Sequence, residues 1–416
     1  MITLKLKYIN LTLRSEQIFM ISALLVNVGN YLYNLVLGRL LGPQAFADAA
    51  ILVTFLLILS FLAMTLQITV AKFTGSFDEA KRESFLKVSR KWGFIVGSIT
   101  GLLIILFSGE LQNWFQTSSS LMFSIFGVGV PIYFVMSVNR GFFQGEQDFI
   151  KLSLTYQFEM LTRLFLTLSL ILILPFNSAD LISFGILISF IPGLMPYKKI
   201  NVANLPKISV DELSHLKKFV VITAFYELTQ ILINNGDILL VKHYFDANTA
   251  GLYASLALIG RLVYFVAWMF VMLLLPEVVK RSKAGLDTTK LFFKYLTMIG
   301  FLAIAVVITT MLFPELIIRM MFGEAYLEIA GLLWKYALAS SLFAIANVFV
   351  YYFLSLDKYI PVLLSGIFGI VQLSMLSIWH NSLAQVVDLQ IIAMISLLFI
   401  QVSYFLYQNK GIFHRK

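Results

Sequence analysis

Residues 17–71 read QIFMISALLVNVGNYLYNLVLGRLLGPQAFADAAILVTFLLILSFLAMTLQITVA. Two apolar runs, 17–38 and 48–71, flank a short segment that contains Gly42 and Pro43, and the whole stretch holds only two charged residues. The hydrocarbon core of a bilayer is about 30 Å thick, so a helix needs about 20 apolar residues to cross it. This stretch therefore predicts two consecutive membrane-spanning helices joined by a short connection.

The composition extends this prediction to the rest of the chain. Of the 416 residues, 59% are hydrophobic and 13% are charged. Soluble domains are about 45–50% apolar and about 25% charged. Because there is too little charge to cover a water-exposed surface of this size, the sequence predicts an all-α, polytopic membrane protein.

The same length criterion finds twelve transmembrane helices in the whole chain. They cover approximately residues 17–38, 48–71, 91–108, 121–138, 152–174, 180–196, 219–241, 250–277, 291–313, 331–354, 359–378 and 389–408.

The basic residues are distributed unequally between the two sides that twelve spans define. Of the 31 Lys and Arg residues, 25 fall in one set of loops and tails and 3 in the opposite set. Basic loops stay in the cytoplasm, so both termini are expected there. The net charge of +9 is then explained by loops that lie against an anionic leaflet, and we expect no nucleic-acid partner.

The two halves of the sequence resemble each other. Residues 30–53 align with residues 234–257 at a shift of 204, and each half then contains six spans. We predict an N-terminal lobe (1–200), a cytoplasmic linker (201–218) and a C-terminal lobe (219–416), related by a pseudo-two-fold axis along the membrane normal. Transporters built this way bind substrate between their repeats, near the midplane of the membrane.

Polar side chains inside the spans are informative because a charged group at the bilayer centre costs about 2.5–3.5 kcal/mol. On the seventh span, Glu227, Gln230, Asn234 and Asp237 lie within about 80° of each other at about 100° per residue. On the first span, which corresponds to the seventh in the repeat, Asn27, Asn30 and Asn34 lie within about 60° of each other, and Asn30 aligns with Asn234. These two stripes are expected to face one hydrated cavity.

Other charged residues occur on the fifth and tenth spans. Glu159 and Arg163 are four residues apart, a spacing at which the two side chains can pair on a helix. Lys335 opens the tenth span, where it either lines a substrate path or extends its ammonium group to the membrane surface.

Arg261 lies within the eighth span, on the same helical face as Tyr264 and Trp268. An arginine beside two aromatic rings can bind an anionic group while the rings stack on a sugar or an isoprenoid. The alternative is that Arg261 belongs to a buried ion pair that only serves the fold.

Few residues are suited to metal or covalent chemistry. Cysteine is absent, and the four histidines are far apart in the sequence. This pattern argues against disulfides, thiolate catalysis and metal centres, and no Walker motif for nucleotide binding occurs. We expect no resident metal or cofactor, while Glu159, Glu227 and Asp237 leave coupling to Na⁺ or H⁺ open.

Three stretches carry a family resemblance. Residues 38–59 (GRLLGPQAFADAAILVTFLLIL) resemble the entry to the second helix of the polysaccharide biosynthesis or oligosaccharide flippase family. Residues 245–256 (FDANTAGLYASL) resemble the start of its eighth helix, and residues 139–149 (NRGFFQGEQDF) its loop between helices four and five. This family, which includes Wzx-type O-antigen flippases, belongs to the multidrug/oligosaccharidyl-lipid/polysaccharide (MOP) exporter superfamily.

The resemblance implies translocation of an undecaprenyl-pyrophosphate-linked oligosaccharide across the bacterial inner membrane by alternating access. The partners it implies are this lipid-linked oligosaccharide, membrane lipids and a glycan polymerase or export machinery. Members of the family have a cationic lumen, for which Arg163, Arg261 and Lys335 are the matching residues by location. On this interpretation, replacing Arg261 with alanine abolishes glycan export while membrane insertion stays normal.

Two other functions are considered. A drug or cation antiporter of the same superfamily would use acidic residues such as Glu227 and Asp237 to bind Na⁺ or H⁺. A membrane enzyme, such as a polysaccharide polymerase or a lipid-linked glycosyltransferase, would need a long loop with catalytic residues. The loops on the predicted outer side are short, so we expect the protein not to be an enzyme.

Overall fold

The computed structural model describes residues 2–6, 9–13, 15–200, 210–356 and 358–408. Two short antiparallel strands, β1 (Ile2–Leu6) and β2 (Ile9–Leu13), precede the helices. The helices of the first half are α1 (Ser15–Ser76), α2 (Glu79–Leu106), α3 (Ser108–Phe115), α4 (Leu121–Gly145), α5 (Phe149–Ile173) and α6 (Ser178–Gly193).

The second half repeats this order of long and short elements. Its helices are α7 (Val210–Tyr244), α8 (Ala247–Gly260), α9 (Leu262–Lys283), α10 (Thr289–Leu312), α11 (Pro314–Met321), a 3-10 helix (Glu324–Leu332), α12 (Leu333–Leu354), α13 (Ile360–Ile378) and α14 (Leu383–Gln408).

Nine helices in the described ranges are long and apolar enough to cross a membrane. One of them, residues 17–75, is long enough for two crossings, and it is interrupted at Gly42, whose φ of 71° is not helical. The shorter apolar helix α6 and part of helix α7 coincide with the sixth and seventh predicted spans. The predicted all-α class with twelve spans is confirmed, and the chain is a multi-pass membrane protein.

The interruption of α1 follows from its sequence. Gly42 adopts a positive φ at little cost because it has no Cβ atom. Pro43 lacks an amide hydrogen, which the first residue of a new helix does not need. One helix therefore ends and the next begins within two residues.

Three features of the spans differ from the prediction. Residues 139–145, expected in a loop, form the last two turns of α4. The span predicted at 250–277 is broken at Arg261, between α8 and α9. Two short helices, α3 and α11, occupy segments that were predicted to be loops.

The chain divides into two compact units. The first comprises Met1–Leu37 and Asp48–Leu228, and the second comprises Gly38–Ala47 and Thr229–Lys416. The boundaries differ from the predicted lobes 1–200 and 219–416, because the division falls within α7 and because residues 38–47 join the second unit. The predicted linker, 201–218, lies outside the described residues up to 209 and belongs to α7 from Val210.

Residues 38–47 belong to the second unit through specific contacts. Tyr326 donates a hydrogen bond to the carbonyl of Gly38 at 2.6 Å, and Arg39 donates to the carbonyl of Met320 at 3.0 Å. The rings of Phe46 and Phe322 are 5.7 Å apart. The GRLLGPQAF segment is thus part of the second unit, although the residues of α1 before and after it belong to the first unit.

Each unit has an apolar core of its own. In the first unit, α2 and α4 approach so closely that a Cβ atom on Gly101 would lie 2.3 Å from the carbonyl oxygen of Gly127. Small residues permit this approach between membrane helices. In the second unit, Phe292, Phe349 and Phe405 form the centre of an aromatic cluster on α10, α12 and α14.

Candidate functional site

The first unit contains a buried cluster of two arginines and one glutamate. Arg140 on α4 donates to Oε2 of Glu159 on α5 at 2.7 Å. Arg163, one turn further along α5, donates to Oε1 of the same carboxylate at 3.2 Å. All three side chains are buried, so the predicted pairing of Glu159 with Arg163 is present and Arg140 joins it.

Neighbouring groups hold the two arginines in place. Arg140 Nε donates to Thr155 Oγ1 at 3.1 Å, and Arg140 Nη2 donates to the carbonyl of the same residue at 2.9 Å. The Arg140 guanidinium also lies 3.8 Å from the centre of the Tyr156 ring, a favourable cation–π distance. Arg163 Nη2 donates to Oδ1 of Asn30 on α1, so the predicted site residue Asn30 contacts the predicted site residue Arg163.

The cluster carries surplus positive charge. Within the part of the chain that the structure describes, Glu159 is the only carboxylate that pairs with either arginine. Arg163 Nε has no hydrogen-bond partner there. Buried charges are expected to be paired and hydrogen-bonded because desolvation is costly. A net charge of about +1 with a free N–H donor is therefore suited to binding an anion.

The second unit contains a buried carboxylate with several donors. Asp237 on α7 is 1% exposed. Its Oδ1 accepts from Arg261 Nη2 at 2.6 Å, and its Oδ2 accepts from the hydroxyls of Tyr253 at 2.8 Å and Tyr336 at 2.7 Å. Gln390 Nε2 also donates to Oδ2, at 3.2 Å. Both carboxylate oxygens of Asp237 thus have hydrogen-bond donors from the second unit.

This arrangement changes the interpretation of Arg261. Its charge is balanced by Asp237, and its Nη1 donates to Oδ1 of Asn235 at 3.2 Å. The structure therefore supports the alternative raised from the sequence, a buried ion pair that serves the fold. The same pair occupies Asp237, which weakens that residue as a candidate for ion coupling.

Two other predicted site residues, Tyr264 and Lys335, have described contacts of their own. The Tyr264 ring stacks on Phe343 at 5.4 Å, with 21° between the ring planes. The side chain of Trp268 lies outside the described part of the molecule. Lys335 forms a partly exposed ion pair with Asp388 at 2.9 Å.

The polar stripe predicted on the seventh span lies on one continuous helix, α7. Asp237 points into the packed cluster of the second unit, while Glu227 is half-buried and belongs to the first. Asn234 Nδ2 donates to the carbonyl of Gln230 at 2.8 Å. The Gln230 amide is buried, and neither of its polar atoms has a described partner.

Arg140 was missed from the sequence. It lies in NRGFFQGEQDF, which was assigned to a loop because Asn139 and Arg140 end the apolar run of the fourth span. A usable signal was present: the segment 139–145 contains no helix-breaking proline, and its Phe142 and Phe143 continue the apolar pattern into the core of the first unit.

Comparisons with known proteins agree with this fold. The family described as "Polysaccharide biosynthesis protein" matches residues 36–331, which is more than half of the chain. A comparison with curated protein sequences gave no match.

Three solved structures illustrate the similarity in fold. The lipid II flippase MurJ in an inward closed conformation has a TM-score of 0.77 at 14% identity, over 94% of this chain and 87% of that chain. An inward-facing multidrug resistance MATE family transporter of the MOP superfamily has a TM-score of 0.75 at 14% identity, over 92% and 96%. A MOP superfamily transporter from Pyrococcus furiosus has a TM-score of 0.58 at 13% identity, over 93% of each chain. The chain therefore belongs to the polysaccharide biosynthesis protein family and has the fold of the membrane transporters of the MOP superfamily.

Proposed function

We propose that this protein is a flippase that translocates an undecaprenyl-pyrophosphate-linked oligosaccharide from the cytoplasmic to the outer leaflet by alternating access. The observation that carries the proposal is the surplus positive charge of the Arg140–Glu159–Arg163 cluster. Membership of the polysaccharide biosynthesis family and the fold shared with a lipid II flippase support a lipid-linked glycan as the cargo.

The physical task is to move a diphosphate and a sugar chain across hydrocarbon. Without compensation, the loss of hydration would be prohibitive. Arginine is suited to replace that hydration because its planar guanidinium donates two parallel hydrogen bonds to phosphate oxygens. We assign diphosphate binding to Arg140 and Arg163, with Asn30 positioning Arg163. Arg261 is not included because Asp237 balances its charge.

The proposal includes a location and partners. The protein resides in the bacterial cytoplasmic membrane with both termini in the cytoplasm, as the distribution of basic residues predicts. Amide side chains such as Gln230 and Asn234 are candidates for hydrogen bonds to sugar hydroxyls. A glycan polymerase or export complex is the expected partner, since the translocated unit must be assembled further. We expect no enzymatic activity.

The test uses purified protein in liposomes that contain a short-chain, fluorescent polyprenyl-diphosphate oligosaccharide. Loss of one charge-assisted hydrogen bond costs about 1.5–3 kcal/mol. Arg163→Gln and Arg140→Gln are therefore expected to slow translocation about ten- to a hundredfold, while Arg163→Lys retains part of the rate. Lys335→Gln is the matched control, because it removes a positive charge from a partly exposed ion pair. Translocation at the normal rate by a stably folded Arg163→Gln variant would contradict the assignment.

A second candidate function is export of cationic drugs in exchange for Na⁺ or H⁺. The fold shared with a multidrug resistance transporter favours it, and Glu227 is a half-buried carboxylate on α7 that is suited to ion binding. Transport of cationic dyes that requires Glu227, together with no translocation of the diphosphate lipid, would favour this function over the first.

A further inference from the structure

The short helices α3 and α11 occupy the same place in the two halves of the chain. Each begins two residues after the last residue of a long apolar helix: Ser108 follows α2, and Pro314 follows α10. The two starts are 206 residues apart, close to the shift of 204 seen in the sequence repeat. Both helices have eight residues, less than half of the length needed to cross a bilayer.

The side chains of α11 divide around the helix in a definite order. At about 100° per residue, Leu316 and Met320 lie about 40° apart, and they are 54% and 68% exposed. Ile318, about 160° away from each of them, is fully buried within the second unit. The charged residues Glu315 and Arg319 lie about 60–140° from the exposed pair, and they too are exposed.

The charged and apolar faces of α11 match the boundary of a bilayer. With Ile318 toward the protein and Glu315 and Arg319 toward water, Ile317 is left on the opposite side from the charges. Leu316 and Met320 then point sideways, away from the protein. This pattern fits a helix that lies parallel to the membrane surface, with water on the side of Glu315 and Arg319 and hydrocarbon on the sides of Ile317, Leu316 and Met320.

The α3 segment also has one buried residue and exposed polar residues, but its exposed apolar groups are single aromatic rings. Phe115 is buried, while Glu110 and Asn113 are exposed on the opposite face. Trp114 is 63% exposed at the edge of that polar face, and Phe107 before the helix is 54% exposed. Tryptophan is enriched at the level of the lipid headgroups because its ring is apolar and its indole N–H is polar.

We propose that α3 and α11 are interfacial helices that bind the headgroup and acyl-chain boundary of one leaflet and fix the depth of each unit in the membrane. The occupant of the exposed apolar face of α11, and of the exposed rings of Trp114 and Phe107 at α3, is phospholipid, because both helices continue directly from membrane-spanning helices. With the orientation proposed for the flippase this leaflet is the outer one, and that part of the inference rests on the proposed function. The lipid contact itself rests only on the geometry of α3 and α11.

The natural absence of cysteine provides a direct test. Met320→Cys and Arg319→Cys are labelled with a nitroxide in liposomes, and collisions with oxygen and with a water-soluble nickel chelate are compared. At residue 320 we expect greater accessibility to oxygen and a depth of about 5–10 Å below the headgroups. Residue 319 is the matched control on the polar face and should favour the nickel chelate.

Two outcomes would overturn the proposal. Equal accessibility of residues 319 and 320 to the nickel chelate would place α11 in water. Protection of residue 320 from both quenchers would indicate that a second copy or another protein covers it. Leu316→Cys provides a second label on the same face if the first variant does not fold. Neither outcome depends on transport, so a failure here is distinguishable from a failure of the proposed function.

Discussion

Arg261 and Asp237 form a charged pair that both partners need. Asp237 is almost completely buried and takes four side-chain hydrogen bonds, of which only the one from Arg261 brings a positive charge. Removing one partner of a buried pair leaves the other charged and unpaired in a poorly hydrated site, whereas removing both leaves no unpaired charge. The effect of an Arg261 substitution is therefore expected first in folding and only then in transport.

We predict that Arg261→Ala destabilises the protein by about 3–5 kcal/mol. Thermal unfolding in detergent would measure this as a large drop in Tm and in the yield of monodisperse protein. This replaces the expectation from the sequence, in which insertion stays normal and only export is lost. Normal stability of the variant would show that the pair is unimportant for folding.

Two matched variants accompany this measurement. The double variant Arg261→Ala with Asp237→Ala removes the unpaired carboxylate and should be more stable than Arg261→Ala alone. Lys335→Ala breaks the ion pair with Asp388, which is partly exposed, and should change stability by no more than about 1 kcal/mol.

The sequence indicates the direction of a polar side chain on its own helix but not the partner that it meets. The spacing of Glu159 and Arg163 was enough to predict their contact, because both are on α5. The contact between Arg261 and Asp237 joins the break between α8 and α9 to α7, and the contact between Arg140 and Glu159 joins α4 to α5. Such pairs depend on the rotation of each helix about its axis, which packing determines.

The N-terminus of helix α8 is fixed by a capping side chain. Helix α8 begins after Asp246, whose carboxylate accepts from the backbone N–H of Thr249 at 3.0 Å and from its hydroxyl at 2.6 Å. These hydrogen bonds lower the pKa of the Asp246 carboxyl below its ordinary value. A lowered pKa means that the contribution to stability is present at neutral pH and is lost as the pH falls through the lowered value.

We predict that Asp246→Ala destabilises the protein by about 1 kcal/mol, the usual loss for a helix N-cap. Asp246→Asn should retain most of the stability at neutral pH, because asparagine caps helices about as well. The difference in Tm between the aspartate and asparagine proteins should shrink as the pH is lowered below about 4. A difference that does not change with pH would show that the charge of Asp246 is not involved.

Long apolar helices and the break at the Gly-Pro pair were predictable from the sequence, whereas the short helices and the break at Arg261 were not. The twelve spans follow from the length of each apolar run, and the break at Gly42 follows from a Gly-Pro pair. Helices α3 and α11 are below the length that a span search detects. The break at Arg261 has no proline to indicate it, although Gly260 precedes it, and a Cβ atom there would lie 2.4 Å from the Tyr336 ring.

At the scale of the whole molecule, the buried charges differ between the two units. In the clusters described above, the first unit has a surplus of one positive charge and the second unit is balanced. The binding energy for an anionic cargo is therefore expected to come mainly from the first unit. The carboxylates Glu159 and Asp237 are both engaged by arginine, which leaves Glu227 as the candidate for coupling to Na⁺ or H⁺.

This distribution leads to a prediction about the driving force. A polyprenyl-diphosphate glycan carries about two negative charges, so export from a negative interior is favoured by about 4–5 kcal/mol per 100 mV if the protein's own charges stay in place. We expect a potassium diffusion potential, negative inside, to accelerate outward translocation in liposomes without any Na⁺ or pH gradient. Glu227→Gln should leave this acceleration intact. The prediction would be contradicted if translocation did not respond to the potential, required a Na⁺ or pH gradient and stopped in Glu227→Gln. That result would assign coupling to the Glu227 carboxylate, because an ion bound there would then transfer the energy of the gradient.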